Sequence, residues 1–444
     1  MSKFAVRGGV PLKGSVRISG AKNAAIKMIA ASLLTSEEIV ITDVPAIDDV
    51  NVDIDVVRAL GVKVERLDGE VRLKADEVAT TSIPRELSKK TRAAVVCLGP
   101  LLARFGKIDL PFPGGCKIGK RPIDRHLSAM ESLGAEIVCE DHLIKARADH
   151  LVGAPIRFEK NTVMGTENAI LAATMAEGET VIFGAAQEPE VDDLIKLLVS
   201  MGANIERSIE EPSRITVKGV DELGGAKHSV IPDRCEVVTY AIAAAATRGD
   251  IVLENVRPAD LTSFFAKFSE VGGSYEVMED RVRFWADTGT VFEPTDIETK
   301  PHPGFMTDWQ QPFSVLLAQA EGESKIHETI YPQRFDYLEE LKKFGVKAEL
   351  MTPTEAGMSF DPDKYGFNWS EKEGEPKVVA EIGGPVELQG TEAKITDLRA
   401  GATLVIAALA AEGESVVSGI EHIDRGYENF EVKLQNLGAD IERV

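Results

Sequence analysis

Leu133-Gly134-Ala135-Glu136-Ile137 decides the fold, because the pattern returns five more times along the chain. The other copies are Leu60-Gly61-Val62-Lys63-Val64, Met201-Gly202-Ala203-Asn204-Ile205, Val271-Gly272-Gly273-Ser274-Tyr275, Phe344-Gly345-Val346-Lys347-Ala348 and Leu437-Gly438-Ala439-Asp440-Ile441. Each ends a helix-like apolar pattern and begins the alternation of a strand. The glycine reads as the residue just past a helix, where the backbone turns left-handed. The glycines are spaced 73, 68, 70, 73 and 93 residues apart. A second mark precedes the first in phase. It runs Ala176-Glu177-Gly178, Thr247-Arg248-Gly249, Ala320-Glu321-Gly322 and Ala411-Glu412-Gly413, with Thr35-Ser36-Glu37 and Arg104-Phe105-Gly106 in the first two copies. Each unit therefore reads as helix, turn, strand, second helix, glycine cap and strands.

Six such units in 444 residues exceed one ordinary core and predict two domains of three units each. The longer last interval predicts an exposed extension on the fifth unit, within 354–381, with no chemistry of its own. Apolar and charged contents of 44% and 27% are those of a soluble globular chain. The longest apolar run, Ala400–Ala411, is broken by Gly401 and Thr403 and is too short to span a bilayer. No signal peptide is read at Met1-Ser2-Lys3-Phe4, and four scattered cysteines suit the cytoplasm. A net charge of −22 argues against nucleic acid and requires any anion site to gather its cations locally.

Polar residues gather where helices begin. The first helices open at Ala21-Lys22-Asn23, Lys90-Thr91-Arg92, Thr166-Glu167-Asn168, Pro232-Asp233-Arg234, Thr307-Asp308-Trp309 and Thr396-Asp397-Leu398-Arg399. The second helices open near Asp48-Asp49, Arg121-Pro122, Glu188-Pro189-Glu190, Arg257-Pro258, Arg334-Phe335 and Asp424-Arg425-Gly426. Parallel helices would bring these starts to one face of each domain, where amides and helix dipoles favour anions. Two such faces would make a cleft lined by Lys22, Arg92, Arg121, Arg334, Arg399 and Arg425. A single aspartate at a helix start is ordinarily a cap; it is the recurrence that points to a site.

Pro111-Phe112-Pro113-Gly114-Gly115-Cys116-Lys117-Ile118-Gly119-Lys120-Arg121-Pro122 reads as a shaped basic loop. Its cations favour a thiolate at Cys116. Pro122 reads as the start of a helix with Ile123, Leu127, Met130 and Leu133 on its apolar face. Cys97 and Cys235 fall in helices and Cys139 in a strand, and all three are expected to be buried. There is no G-x-x-x-x-G-K-[ST], G-x-G-x-x-G or H-E-x-x-H. His302, in Pro301-His302-Pro303, reads as a rigid turn near the site.

These residues resemble the enolpyruvyl transferases, in the branch acting on UDP-N-acetylglucosamine, over nearly the whole chain. The resemblance rests on Ser19-Gly20-Ala21-Lys22-Asn23-Ala24-Ala25, Arg92-Ala93, Leu98-Gly99-Pro100-Leu101-Leu102-Ala103-Arg104-Phe105-Gly106, the Pro113–Pro122 loop, Glu188-Pro189-Glu190 and Pro232-Asp233-Arg234. It continues through Thr307-Asp308, Gln333-Arg334-Phe335, Thr396-Asp397-Leu398-Arg399 and His422-Ile423-Asp424-Arg425-Gly426-Tyr427-Glu428. It implies an inside-out α/β barrel of two domains, each of three βαβαββ units. One domain is 22–229; the other joins 1–21 to 230–444. They are expected to close over substrate.

The implied reaction moves the enolpyruvyl group of phosphoenolpyruvate to the 3-hydroxyl of UDP-N-acetylglucosamine and releases phosphate. By resemblance Lys22, Arg121 and Arg425 hold the donor phosphate, and Arg334 and Arg399 its carboxylate. Asn23 and Asp308 meet the sugar, with Asp308 at the reacting hydroxyl. Cys116 donates a proton, acts in product release and is the residue fosfomycin alkylates. Arg92 contacts the diphosphate. Arg121, Pro122, Ile123 and Asp124, with Thr162, Val163 and Gly165, hold uridine and its phosphates, and Ile330 also meets the sugar nucleotide. No cofactor, metal or membrane insertion is expected, and the oligomeric state is left open. One departure is Thr162-Val163-Met164-Gly165-Thr166, where the family often has Ser-Val-Gly-Ala-Thr; it sets Met164 where it would crowd a phosphate. The alternatives are the sister reaction on 3-phosphoshikimate, whose enzymes lack the Gly-Gly-Cys loop, and a non-catalytic repeat-built binding protein.

Overall fold

The structure is a computed structural model describing residues 2–114, 123–370 and 374–444. Six glycines punctuate it. Gly61, Gly134, Gly202, Gly272, Gly345 and Gly438 all have φ between 89° and 110°, a region where a side chain meets its own backbone. Each ends a helix or helical turn and starts a strand. The second mark is less uniform. Gly106, Gly178, Gly322 and Gly413 also have positive φ, but beside Gly249 it is Arg248 that does, at 57°. Gly249 serves close approach instead: a Cβ there would lie 2.2 Å from the Leu12 carbonyl oxygen.

Each repeat makes one small sheet. In the third, Pro155–Arg157 runs parallel to Glu179–Phe183, which pairs antiparallel with Ile215–Lys218, which pairs antiparallel with Asn204–Arg207. In the second repeat the leading strand is reduced to a bridge between Ser82 and Asp109. Two leading strands are exchanged. Ala226–Ser229 leads the sheet of Glu38–Thr42, and Lys13–Arg17 leads that of Asp250–Glu254. Lys3–Arg7 sits between Glu414–Ser418 and Asp440–Arg443, antiparallel to both, and fills the place the last repeat leaves empty.

The chain accordingly divides into two compact units. A terminal unit joins the residues up to Ser19 with Pro232–Val444, and an internal unit lies within Gly20–Ile231. In the terminal unit Arg234–Ala246, Thr307–Leu317 and Leu398–Ala410 pack on one another. Small side chains such as Ala241, Ala243 and Ala407 let the axes come close. Helices apolar on every side belong in a core, and all of Arg234–Ala246 is buried. In Thr307–Leu317 every residue is buried except Asp308. The internal unit repeats this plan. Leu98–Phe105 packs on Val163–Ala173, and the turn Ala93–Cys97 touches Lys22–Ala31. In Lys22–Ala31 only Lys22 and Asn23 escape full burial.

Four expectations are corrected. The helix expected at Thr166 starts at Val163 and is capped by Thr162. The last second helix starts at Phe430, after a short turn Glu421–Asp424 and a left-handed Asn429. The helix after the basic loop is Asp124–Ser132, and His126 and Ala129 join Met130 on its buried side. The extension is anchored rather than merely exposed. It connects the paired strands Lys347–Met351 and Val379–Gly383. Tyr365 is 2% exposed and bonds His327 Nε2 at 2.9 Å, and the Gly366 amide donates to the Thr329 carbonyl. Among the described residues no helix is long and apolar enough to cross a membrane.

Candidate active site

Asp308 organises the terminal unit. Its carboxylate forms an ion pair with Arg334 and lies 3.6 Å from Arg399 Nε and 3.9 Å from Cys235 Sγ. Cys235, Asp308 and Arg399 belong to the first turns of the three central helices, so those starts do converge. The aspartates at these starts divide by role. Asp233 accepts from the Cys235 and Glu236 amides, and Asp397 from the Arg399 and Ala400 amides, so both are caps. Asp308 lies one residue inside its helix, which starts without a side-chain cap, and faces the guanidinium groups instead.

Arg334 and Arg399 are 4% and 5% exposed, deep for charges that ordinarily stay in water. Asp308 offsets part of that cost. Arg399 also lies over the Tyr427 ring at 5.2 Å. Arg334 Nε and Arg399 Nε and Nη1 are buried with no hydrogen-bond partner among the described residues. Buried donors of this kind are costly unless an anion meets them. Arg425 follows Glu421–Asp424, and its neighbours are tied in: Tyr427 Oη meets Thr239 Oγ1 at 2.7 Å, and Gly426 packs on Leu398. The Ile330 amide donates to Glu328 Oε1 at 2.7 Å.

The internal unit brings together a second set. Lys22 Nζ lies 2.5 Å from Asp49 Oδ2, where the first turns of Lys22–Ala31 and Asp48–Leu60 meet. Lys27, one turn on, pairs with Glu167 at 3.2 Å and donates to the Asn23 carbonyl. Both charges of that pair are buried, and desolvation pushes the Glu167 carboxyl up to about 7. Burial does the same to Asp53, also to about 7, although Thr91 and the lysines oppose it. Arg92 precedes the turn Ala93–Cys97 and, with Arg125, faces His126, which burial and those cations hold down near 3. His126 Nδ1 and Asn168 Nδ2 are 3.1 Å apart, and Asn168 Oδ1 accepts from the Gly99 amide.

Thr162 and Gly165 explain the sequence departure. Thr162 Oγ1 caps its helix through the Gly165 amide, and a Cβ at 165 would lie 2.6 Å from that oxygen. Gly165 thus stands where the cap leaves no room for a side chain, while the Met164 side chain packs on the core. Val163, Ile123 and Asp124 also lie at helix starts of this unit. Cys116, Arg121 and Pro122 lie outside the described residues. Cys97 and Cys235 are buried and their thiols are raised, Cys97 to about 12. Cys139, expected to be buried, is exposed on Glu136–Glu140, whose side faces outward. Among the described residues no group of three or more His, Cys, Asp or Glu is placed to hold a metal ion.

Residue patterns alone did not single out Glu328 or Lys27, and marked Glu167 only as one of the polar residues at a helix start. Lys27 does carry a signal, a charge inside the apolar run Ala24-Ala25-Ile26-Lys27-Met28-Ile29, whereas Glu328 stands between His327 and Thr329 with no such mark.

A family model described as EPSP synthase (3-phosphoshikimate 1-carboxyvinyltransferase) matches residues 6–434. The chain belongs to this enolpyruvyl transferase family. Within the family, it is 43% identical over 444 residues to UDP-N-acetylglucosamine 1-carboxyvinyltransferase 3 of Caldanaerobacter subterraneus, the match covering all of both chains. It is 42% identical over 448 residues to UDP-N-acetylglucosamine 1-carboxyvinyltransferase of Koribacter versatilis, covering all of this chain and 97% of that one. The fold matches the enolpyruvyl transferase NikO from Streptomyces tendae with a TM-score of 0.85 at 23% identity, over 100% and 99% of the two chains. EPSP synthase from Acinetobacter baumannii gives 0.71 at 17% identity over the whole of both chains. The two-domain, repeat-built α/β architecture is thus that of the enolpyruvyl transferases, and their chemistry is enolpyruvyl transfer.

Proposed function

We propose that this enzyme transfers the enolpyruvyl group of phosphoenolpyruvate to the 3-hydroxyl of UDP-N-acetylglucosamine, committing the sugar to peptidoglycan. The observation that carries the chemistry is Asp308 held between two buried arginines, of which Arg334 Nε and Arg399 Nε and Nη1 have no hydrogen-bond partner among the described residues. The acceptor rests on full-length relatives of 42–43% identity that bear that activity in their names.

In this reading Arg334 and Arg399 take the donor carboxylate through planar forks of N–H donors. Lys22, Arg121 and Arg425 hold its phosphate. Asn23, Arg92, Ile123, Asp124, Thr162, Val163, Gly165 and Ile330, with Arg121 and Pro122, hold the sugar nucleotide. Cys116 delivers a proton to carbon 3 of the donor, and the sugar hydroxyl adds to carbon 2. Asp308 orients that hydroxyl and takes its proton. The tetrahedral intermediate then loses a proton from carbon 3 and expels phosphate, leaving the enol ether. Cationic donors fixed beforehand stabilise charge without reorganising.

The test is the product. Incubation with both substrates should give a sugar nucleotide enlarged by one enolpyruvyl group, located at the 3-oxygen by nuclear magnetic resonance, with one phosphate released per product. Enolpyruvyl transfer to 3-phosphoshikimate instead would replace this reading with the sister reaction.

A further inference from the structure

We infer that Glu328 is a positioning residue that sets Asp308, Ile330 and Arg334 relative to one another; the inference rests on the enolpyruvyl-transfer reading of that site. Glu328 follows the strand Glu323–His327 and is fully buried. Its backbone amide donates to the Val378 carbonyl at 2.8 Å, so the residue is fixed at its root. One carboxyl oxygen accepts from the Ile330 amide at 2.7 Å and the Tyr331 amide at 3.1 Å. The other accepts from Thr307 Oγ1 at 2.8 Å. Thr307 opens the helix on which Asp308 is the next residue.

One side chain thus joins two segments. The first is the start of the Asp308 helix. The second runs from Ile330 to Arg334, and the Tyr331 ring lies 5.8 Å from the Arg334 guanidinium. The next residue is fixed as well: the Thr329 amide and hydroxyl bond Thr299 at 2.9 and 2.5 Å. Burial pushes the Glu328 carboxyl up, while Thr307, the amides and Arg334 oppose it. Replacing a carboxyl placed only for stability would leave its donors unpaired and lower the melting temperature without touching the kinetics. Here the oxygens meet the two segments that carry the acid–base group and a carboxylate ligand. Small misplacements of such groups are costly in rate.

The test compares Glu328→Ala, Glu328→Gln and Thr307→Val with the parent enzyme by circular dichroism, melting and steady-state kinetics. Glu328→Ala should lower kcat about 100-fold and raise KM for phosphoenolpyruvate in protein that remains folded at the assay temperature. Glu328→Gln should recover to within about threefold of the parent, since its carbonyl accepts both amides and its NH2 can donate to Thr307. Thr307→Val, which keeps the carboxylate, should lose about tenfold in kcat and decides the matter if Glu328→Ala does not fold. A lower melting temperature with kcat and KM unchanged would overturn the inference, as would a Gln variant as impaired as the Ala variant. Parent enzyme inactive with UDP-N-acetylglucosamine would refute the acceptor reading alone. The variants would then be compared with 3-phosphoshikimate as acceptor, or, if neither turns over, by calorimetric binding of phosphoenolpyruvate. In the binding arm, Glu328→Ala as tight as the parent would overturn the inference, and about tenfold weaker binding would support it.

Discussion

At the scale of single residues, Asp308 and Arg399 make separable predictions. Arg399→Ala leaves Asp308 paired with Arg334, so the fold should survive. Loss of an oriented donor should cost about 2–4 kcal/mol of transition-state stabilisation, a fall in turnover of about 30- to 1,000-fold. Circular dichroism and kcat measured on the same sample check this; a folded variant with near-parent turnover removes Arg399 from the site. Asp308→Ala leaves two buried guanidinium groups without the carboxylate they share and should destabilise by about 3–5 kcal/mol as well as abolish turnover. Asp308→Asn should fold better, bind UDP-N-acetylglucosamine and remain inactive; full kcat in that variant would reduce Asp308 to a binding group. Cys116 is proposed as the thiol that fosfomycin alkylates with loss of activity. Cys139 is its exposed competitor, whereas Cys97 and Cys235 are shielded. Peptide mass spectrometry beside phosphate release decides it: labelling mainly at Cys139, or full Cys116 labelling with activity intact, contradicts the assignment.

Among the elements, the six glycine caps were legible because their cause is local. A left-handed residue after a helix admits few side chains, so the sequence must show it. The caps at Asp233 and Asp397 were legible for the same reason. The start of Val163–Ala173 was less so, because Thr162 and Gly165 cap it only as a pair separated in sequence. The exchange of Ala226–Ser229 and Lys13–Arg17 left no local mark, since a parallel strand of four or five residues looks alike in either sheet. Tyr365 was missed because its partner His327 lies 38 residues away. The caps themselves can be measured. Gly202 has open space where a Cβ would go, so Gly202→Ala should cost only the backbone strain, about 1–2 kcal/mol. At Gly61 an added Cβ also meets the Ala79 nitrogen and Glu77 oxygen at 2.7 Å, so Gly61→Ala should cost more. Urea unfolding midpoints rank the two, and equal losses would contradict the packing argument.

Across the whole molecule, an acidic chain concentrates its buried cations where the repeats place helix starts. The internal unit also contains Asp53 and Glu167, both pushed up to about 7 by burial. Their folded values exceed the ordinary carboxylate range near 4, so the folded state binds more protons than the unfolded state between those limits. These groups should therefore subtract stability as pH rises from about 4 to about 7. Asp53→Asn should flatten that decline, read as urea midpoints at stepped pH; an unchanged slope would place the effect elsewhere. The most direct measurement of the central claim is phosphate release from phosphoenolpyruvate with each acceptor supplied in turn. The account predicts rapid release with UDP-N-acetylglucosamine and none above background with 3-phosphoshikimate; release only with 3-phosphoshikimate, or with neither, would contradict it.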